Sequence, residues 1–287
     1  MARPALSATR GLDILDFLAA FPGRDFTLSE IMRATDINVA SCHAILSALT
    51  ERGYLVRDSA QKTFSLGPVP MALGDAAQRS QPMLHRARTV VQELAKELGV
   101  PVLLTAVAGA EMVGILAATD PQGRGPGLRV GERRPMIPPL GAPFVAWGSE
   151  LAIQLWLERG GHDRDAAFAE EQRQALALIR ARGFQISLRS PNSPRLSPEP
   201  GDAASSFKAR MAGLVSGLVP APIAETIEPE ELYEVNLIAA PVFDRDGTCA
   251  YNLCLGDFAD RISGAEALAY AGRLVTACLA IMQAERG

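Results

Sequence analysis

The chain has four cysteines without a single CxxC pair, three histidines, three lysines, and no uncharged apolar run of the ~18 residues a membrane span needs. Each scarcity excludes something. Cys42, Cys249, Cys254 and Cys278 lack the spacing of a zinc ribbon or a redox pair, so buried, reduced thiols in a cytoplasmic protein are expected. His85 and His162 stand without metal-ligand spacing, and no metal or cofactor is expected. Gly123, Gly125, Gly127 and Gly131 form a glycine-rich stretch, but it lacks the GxGxxG and GKS/T patterns that cradle phosphates. The start, MARPALSATRG, lacks the apolar core of a secretion signal, and no membrane partner is expected. A formal net charge of −4 gives no global pull toward nucleic acid or acidic ligands.

What is present is enough for two ordinary domains: 287 residues, 48% apolar and 21% charged. Ile14, Phe17, Leu18 and Phe21 make a helical stripe ended by Pro22-Gly23. Thr27-Leu28-Ser29-Glu30 is a capping box for a second, short helix, with Phe26 and Ile31 placed as a hydrophobic staple. Asp36-Ile37-Asn38 leaves room only for a tight turn. Asn38 then caps a third helix, whose Cys42, Ile45, Leu46 and Leu49 repeat at i, i+3, i+4, i+7. Two capped helices across so short a turn outline a helix-turn-helix. After Gly53, Tyr54–Arg57 and Thr63–Leu66 are strand patterns about a polar turn, which together make a wing.

The outer face of the third helix is small and uncharged. In a helix-turn-helix this helix enters the major groove, and small side chains permit close approach. Ala40 and Ala44 can meet thymine methyls, while Asn38, Ser41, His43 and Ser47 can hydrogen-bond to bases or phosphates. Thr27 and Ser29, at the start of the second helix, suit a phosphate contact. Arg57, Gln61 and Lys62 of the wing can reach backbone or minor groove. Residues 1–67 carry seven basic and seven acidic side chains, so one such domain should bind weakly and act in pairs.

Residues 68–82 read as a helical linker between Pro68 and Pro82. A helix over Met83–Leu98 carries Leu84, Ala87, Val91, Leu94 and Leu98 on one face. Beyond Val100, strands and helices mix. Val100–Ala108 and Glu111–Ala118 pair through Gly109-Ala110, and Leu237–Phe243 pairs with Cys249–Leu255 across Asp244–Gly247. One helix is expected to start at Gly141-Ala142-Pro143 and to carry Phe144, Trp147, Leu151, Leu155 and Trp156. A second covers about Arg164–Arg182. A proline-rich loop follows over Ser190–Gly201, and Glu225, Glu228, Glu230, Glu231 and Glu234 suggest a solvated helix start. The last helix, Gly264–Arg286, should bury Leu268, Ala271, Val275, Cys278 and Met282. Residues 83–287 thus read as an α+β domain on a mainly antiparallel sheet.

The order of helix, TLSEI helix, turn, SCHAILSALTERGYL, wing ending in FSLGP and helical linker resembles the isocitrate-lyase-regulator (IclR) type of bacterial transcription factor. LIAAPVFDRDGTCAYNLCLGD resembles that family's last sheet hairpin. The resemblance implies an N-terminal winged helix-turn-helix and a C-terminal GAF-like effector-binding domain that also oligomerises. It further implies homodimers or homotetramers on palindromic double-stranded DNA, and a small organic effector, an organic acid being one choice. Family members carry a basic residue near the positions of Val39 and Ala44, so this face should read shape and methyl groups more than charge.

The effector site is expected where Gly141-Ala142-Pro143 opens a helix whose free amides hold a polar head. Leu140, Gly141 and Ala142 would meet that head, and Phe144, Trp147 and Leu237 would wall it. By resemblance, Asn252 and Cys254 add polar contacts. The expected function is a ligand-responsive regulator such as a repressor. The alternatives are a small-molecule-metabolising enzyme, or a sensor that does not bind DNA, with an accessory winged domain. No nucleophile–base pair or acid pair with workable spacing supports the enzyme.

Overall fold

The computed structural model describes residues 5–119, 130–160, 165–189, 223–258 and 260–283. The expected proline-rich loop, His162 and the glycines at 123, 125 and 127 lie outside them. Two compact units meet in sequence between Gln81 and Pro82.

In the first unit, α1 (Leu6–Ala19) buries Ile14, Phe17 and Leu18. The Phe17 ring lies 5.5 Å from Phe21 and 4.7 Å from Phe26, centroid to centroid. Phe26 and Thr27 form β1 (Phe26–Thr27), and Thr27 caps α2 (Leu28–Thr35). The capping box is complete. The Thr27 hydroxyl accepts from the Glu30 amide at 3.3 Å, and the Glu30 carboxylate accepts from the Thr27 amide at 2.8 Å. That backbone N–H, helped by the Thr27 hydroxyl and Arg24, holds the Glu30 carboxyl below its ordinary value. A depressed carboxyl stabilises the fold above its unfolded pKa and loses this contribution as pH falls through the folded one. Glu30→Gln keeps a cap-competent amide but does not titrate, so thermal melts of this variant should depend less on pH on the acid side than wild type.

Asp36 turns the chain at φ 55°, Ile37 is buried, and the Asn38 side chain accepts from the Ser41 amide at 3.0 Å to start α3 (Val39–Glu51). The wing, β2 (Leu55–Asp58) and β3 (Thr63–Leu66), is wider than the expected hairpin. β1 joins it in the order β1-β3-β2, pairing Phe26 with Phe64. Gly67 closes the wing by donating to the Tyr54 carbonyl at 2.7 Å, and a Cβ there would stand 2.3 Å from the Gly53 carbonyl oxygen. α4 (Val69–Arg79) follows, exposed on nearly every side.

The second unit opens with α5 (Pro82–Leu98). Its sheet runs from β4 (Val102–Ala108), β5 (Glu111–Ala118) and β6 (Arg133–Pro135), through β7 (Gln185–Leu188), to β9 (Val235–Phe243) and β10 (Cys249–Gly256). The order is β6-β5-β4-β10-β9-β7, every neighbouring pair antiparallel. A two-stranded ribbon joins β8 (Leu232–Tyr233) to β11 (Ile262–Ser263), and it leads into the last helix, α9 (Gly264–Met282). Val102, Leu104, Ile238, Ala240, Leu253 and Leu255 point to α5 and α9 and form the main core. The opposite sheet face meets α6 (Ala142–Val145), which packs on β9 and β10; α7 (Glu150–Glu158) and α8 (Ala166–Arg182) share its satellite core.

Three expectations are corrected. The helix opened by Gly141 is broken: α6 stops at Val145, Gly148 follows, and Ser149 caps a separate α7. Leu151 and Leu155 are therefore exposed, while Ile153, Trp156 and Leu157 are buried. The acidic run Glu225–Glu234 starts no helix; it leads into β8 and β9. The buried stripe of α9 is Ala267, Ala271, Leu274, Cys278 and Ile281, with Leu268 39% exposed. Gly264 abuts the Glu228 carbonyl, where a Cβ would lie 2.1 Å away, and small residues keep the helix close to its neighbours. α9 is long and apolar enough by composition to cross a membrane, but this stripe packs on β9 and α5.

Candidate nucleic-acid interface and sensing face

Residues of α3 divide sharply by side. Cys42 and Leu46 are 0% and 1% exposed and lock the helix onto Ile14, Phe17 and Ile31. Asn38, Ala40, His43, Ala44 and Ser47 are exposed, and Ser41 is half-buried. The structure thus gathers these six onto one accessible surface. Thr27 has its hydroxyl engaged in the capping box, while Ser29 is exposed. In the wing, the Asp58 carboxylate accepts from the Ala60 and Gln61 amides and shapes the turn. Gln61 and Lys62 are exposed at its tip, and the Arg57 guanidinium lies 5.7 Å from the Phe64 ring centre.

One cation reaches α3 from outside it. The Arg10 guanidinium of α1 donates to the Ser41 hydroxyl at 3.3 Å. The sequence held a signal for this. Arg10 precedes Ile14 and Phe17 by four and seven residues, on the side of α1 that faces its neighbours.

The expected effector residues fall into two groups. Gly141 sits at φ 80° and fills space rather than opening it, since a Cβ there would be 2.4 Å from the Met136 sulfur. The amides expected to be free at this helix start are largely engaged. Ala142 donates to the Pro139 carbonyl at 3.4 Å and Phe144 to the Gly141 carbonyl at 2.9 Å, and Pro143 has no N–H. The Leu140 carbonyl accepts from the Trp156 indole at 2.9 Å. A four-residue α6 with its Ala142 and Phe144 amides engaged and a proline between them is a poor anion cradle. Trp147 is half-buried, edge-on to Phe243 at 5.0 Å.

The second group lies on the sheet under α6. Leu237 packs with Leu103, Ala239 and Cys254. Asn252 and Cys254 share one side of β10, the Asn252 amide donating to the Cys254 sulfur at 3.5 Å. Burial pushes the Cys254 thiol up to about 12, so it stays protonated and unreactive. Three polar residues that the strand patterns did not expose join them by register: Thr105 opposite Asn252, Gln185 in line with Cys254 across Ala239, and Ser187 opposite Leu237. The Asn252 Oδ1 and Gln185 Oε1 atoms are buried without a hydrogen-bond partner. Each costs about 1–3 kcal/mol in desolvation.

The IclR helix-turn-helix domain model matches residues 7–59. Among curated proteins, the HTH-type transcriptional regulator BhcR of Paracoccus denitrificans is 33% identical over 90 residues, 31% of this chain and 32% of that one. The match thus spans about a third of that relative's length. Residues 7–59 are thus similar to the IclR helix-turn-helix domain. The chain's full length also follows the IclR fold. An IclR transcriptional regulator from Alicyclobacillus acidocaldarius superposes with a TM-score of 0.71 at 18% identity, covering 99% of this chain and 100% of that one. An IclR homolog from Microbacterium hydrocarbonoxydans, solved in complex with 4-hydroxybenzoate, gives 0.59 at 16% identity, covering 98% and 99%. At such identities the likeness is one of fold. The IclR-type match ends just past the start of the wing turn, so the exposed face of α3 lies wholly inside it.

Proposed function

We propose that this chain is a ligand-responsive transcriptional regulator of the IclR type that binds a palindromic operator as a homodimer or homotetramer in the cytoplasm. The observation that carries it is the α3 surface: uncharged, small, exposed and firmly backed by a buried face, inside a matched helix-turn-helix. Residues 1–67 read DNA, 68–82 link, and 83–287 sense a small organic effector and hold copies together. Asn38, Ala40, Ser41, His43, Ala44 and Ser47 face the groove. Ser29 and Thr27 approach phosphate, the latter through its peptide surroundings since its hydroxyl is committed. Arg57, Gln61 and Lys62 contact backbone from the wing. Arg10 adds the cation that α3 lacks. Pairing is supported by the neutral charge of residues 1–67 and by α4, where Met71 is 77% and Leu73 53% exposed. For the effector, the relative that carries 4-hydroxybenzoate supports a small organic molecule. Leu140, Gly141, Ala142, Phe144 and Trp147 then act as packing above the polar group of Asn252 and Cys254, with Leu237 beside it. Effector binding shifts the balance between operator-competent and incompetent arrangements.

The test is fluorescence anisotropy with DNA from upstream of the protein's own gene, titrated over salt. Specific DNA should bind more tightly than scrambled DNA, with log affinity falling linearly with log salt. Arg10→Gln should reduce the steepness of that line by about one unit, because one phosphate contact is lost. Equal affinity for scrambled DNA, or indifference to salt, would sink the regulator assignment.

A further inference from the structure

The sheet face under α6 holds four buried polar side chains of one kind: neutral. Thr105, Gln185, Ser187 and Asn252 are 8%, 5%, 3% and 4% exposed. Their pairing is internal and incomplete. The Thr105 hydroxyl donates to the Asn252 carbonyl at 3.2 Å, Gln185 Nε2 donates to the Ser187 hydroxyl at 2.5 Å, and Asn252 Nδ2 donates to the Cys254 sulfur. That leaves Asn252 Oδ1 and Gln185 Oε1 aimed at the same layer with nothing to accept from. Gln185 and Asn252 stand on strands two spacings apart, ~10 Å across the sheet, with the small Ala239 and Pro241 of β9 between them. Protein interiors rarely leave two such oxygens orphaned unless a further group meets them.

Positive charge is missing from this floor. Among the described residues of these strands, no Lys, Arg or His shares the face. Arginines of neighbouring elements are committed elsewhere: Arg182 to the carbonyls of Ala224 and Glu225, Arg133 to Glu111, and Arg134 to Glu132. A buried carboxylate needs a cation or several N–H donors, and here each amide NH₂ has one N–H committed, to Cys254 or to Ser187, which leaves one apiece on strands two spacings apart. Turning either amide about exchanges an orphan oxygen for an orphan NH₂ and creates no charge. A hydroxyl, which donates and accepts, satisfies an amide in either orientation.

We propose that this face takes a neutral small molecule with at least two hydroxyl groups set apart on a compact frame, and not a simple carboxylate. The proposal rests on the effector-sensing role given above and sharpens it. Of the two polar ends of a hydroxylated aromatic acid, the floor suits the hydroxyl.

Calorimetric titration of the full chain with hydroquinone, 4-hydroxybenzyl alcohol, 4-hydroxybenzoate and benzoate tests it. The two neutral compounds should bind at least about tenfold more tightly than benzoate, a difference of ~1.4 kcal/mol. Asn252→Leu and Gln185→Leu should each abolish that preference. A carboxylate that binds more tightly than the neutral pair and is lost in Asn252→Leu would overturn the class while leaving a sensing site. Failure of all four to bind would overturn the class too. A second measurement needs no ligand. If Asn252 is held for a ligand, Asn252→Leu should melt within about 2 °C of wild type or above it, whereas a fall of ~5 °C or more would make the amide structural and end the proposal. Operator anisotropy with the bound neutral compound separates the two levels. Binding without any change in operator affinity would refute the effector role and leave the ligand class standing.

Discussion

Ser41→Glu is expected to abolish operator binding while leaving the winged unit folded and no less stable. Ser41 is the third residue of α3, half-buried at the edge of the exposed face, and in the docking proposed above it lies where the helix would meet bases and phosphates. In that docking a carboxylate there would stand close to the DNA phosphates. Like-charge contact of that kind costs several kcal/mol, so affinity should fall by at least ~100-fold. The same charge is welcome in the free protein. No acidic residue stands in the first turn of α3, and a carboxylate there interacts favourably with the helix dipole, contributing about 0.3–1 kcal/mol. Arg10, already 3.3 Å from the Ser41 hydroxyl, supplies a counter-charge from α1. Loss of binding together with an unchanged or raised melting temperature is therefore the signature of a groove-facing position. Anisotropy and a thermal melt on the same preparation read both. A variant that keeps operator affinity within a few-fold of wild type would show that α3 does not dock by this face.

The winged unit was legible because its cues are local. The capping box at Thr27 and Glu30, the Asn38 cap and the turn at Asp36 each act within four residues, and helical spacing marks Cys42 and Leu46 as the buried side. Arg10 was harder, because its partner Ser41 lies 31 positions away and only the α1–α3 packing brings them together. The second unit shows the same division. Both of its hairpins follow from turn residues such as Gly109 and Gly247, each at positive φ. The polar sheet face does not, because Gln185 and Asn252 meet only through β9, and the register of three strands is a tertiary fact. α9 misled for a related reason. Its Ala-rich sequence offers two adjacent stripes of similar hydropathy, and close approach at Gly264 selects the smaller one over that of Leu268 and Met282. The presumed anion cradle failed on composition read too locally. Gly141-Ala142-Pro143 does start a helix, but it ends at Val145 after one turn, and its Ala142 and Phe144 amides already donate to the Pro139 and Gly141 carbonyls.

Phe17→Ala should unfold the winged unit at temperatures that leave the second unit intact. Phe17 is 1% exposed, at the centre of a cluster with Phe21 and Phe26, and packs in the same core as Ile14, Ile31, Cys42 and Leu46. Truncating a buried Phe to Ala costs about 3–5 kcal/mol through lost burial and the cavity left behind. A domain of some sixty residues has little more than that to lose, since it buries a smaller share of its surface than a larger one. At ~4–8 °C per kcal/mol for so small a unit, its transition should fall by more than ~12 °C. Phe21, only half-buried, is the control: Phe21→Ala should shift the same transition by much less. The core under α5 and α9 contains none of these residues, so its own transition should stay in place. Differential scanning calorimetry of the full chain distinguishes the cases, with operator binding lost in step with the lower transition. Should both transitions drop together, the two units fold as one cooperative body, and the division of labour between reading and sensing would have to be carried by something other than independent domains.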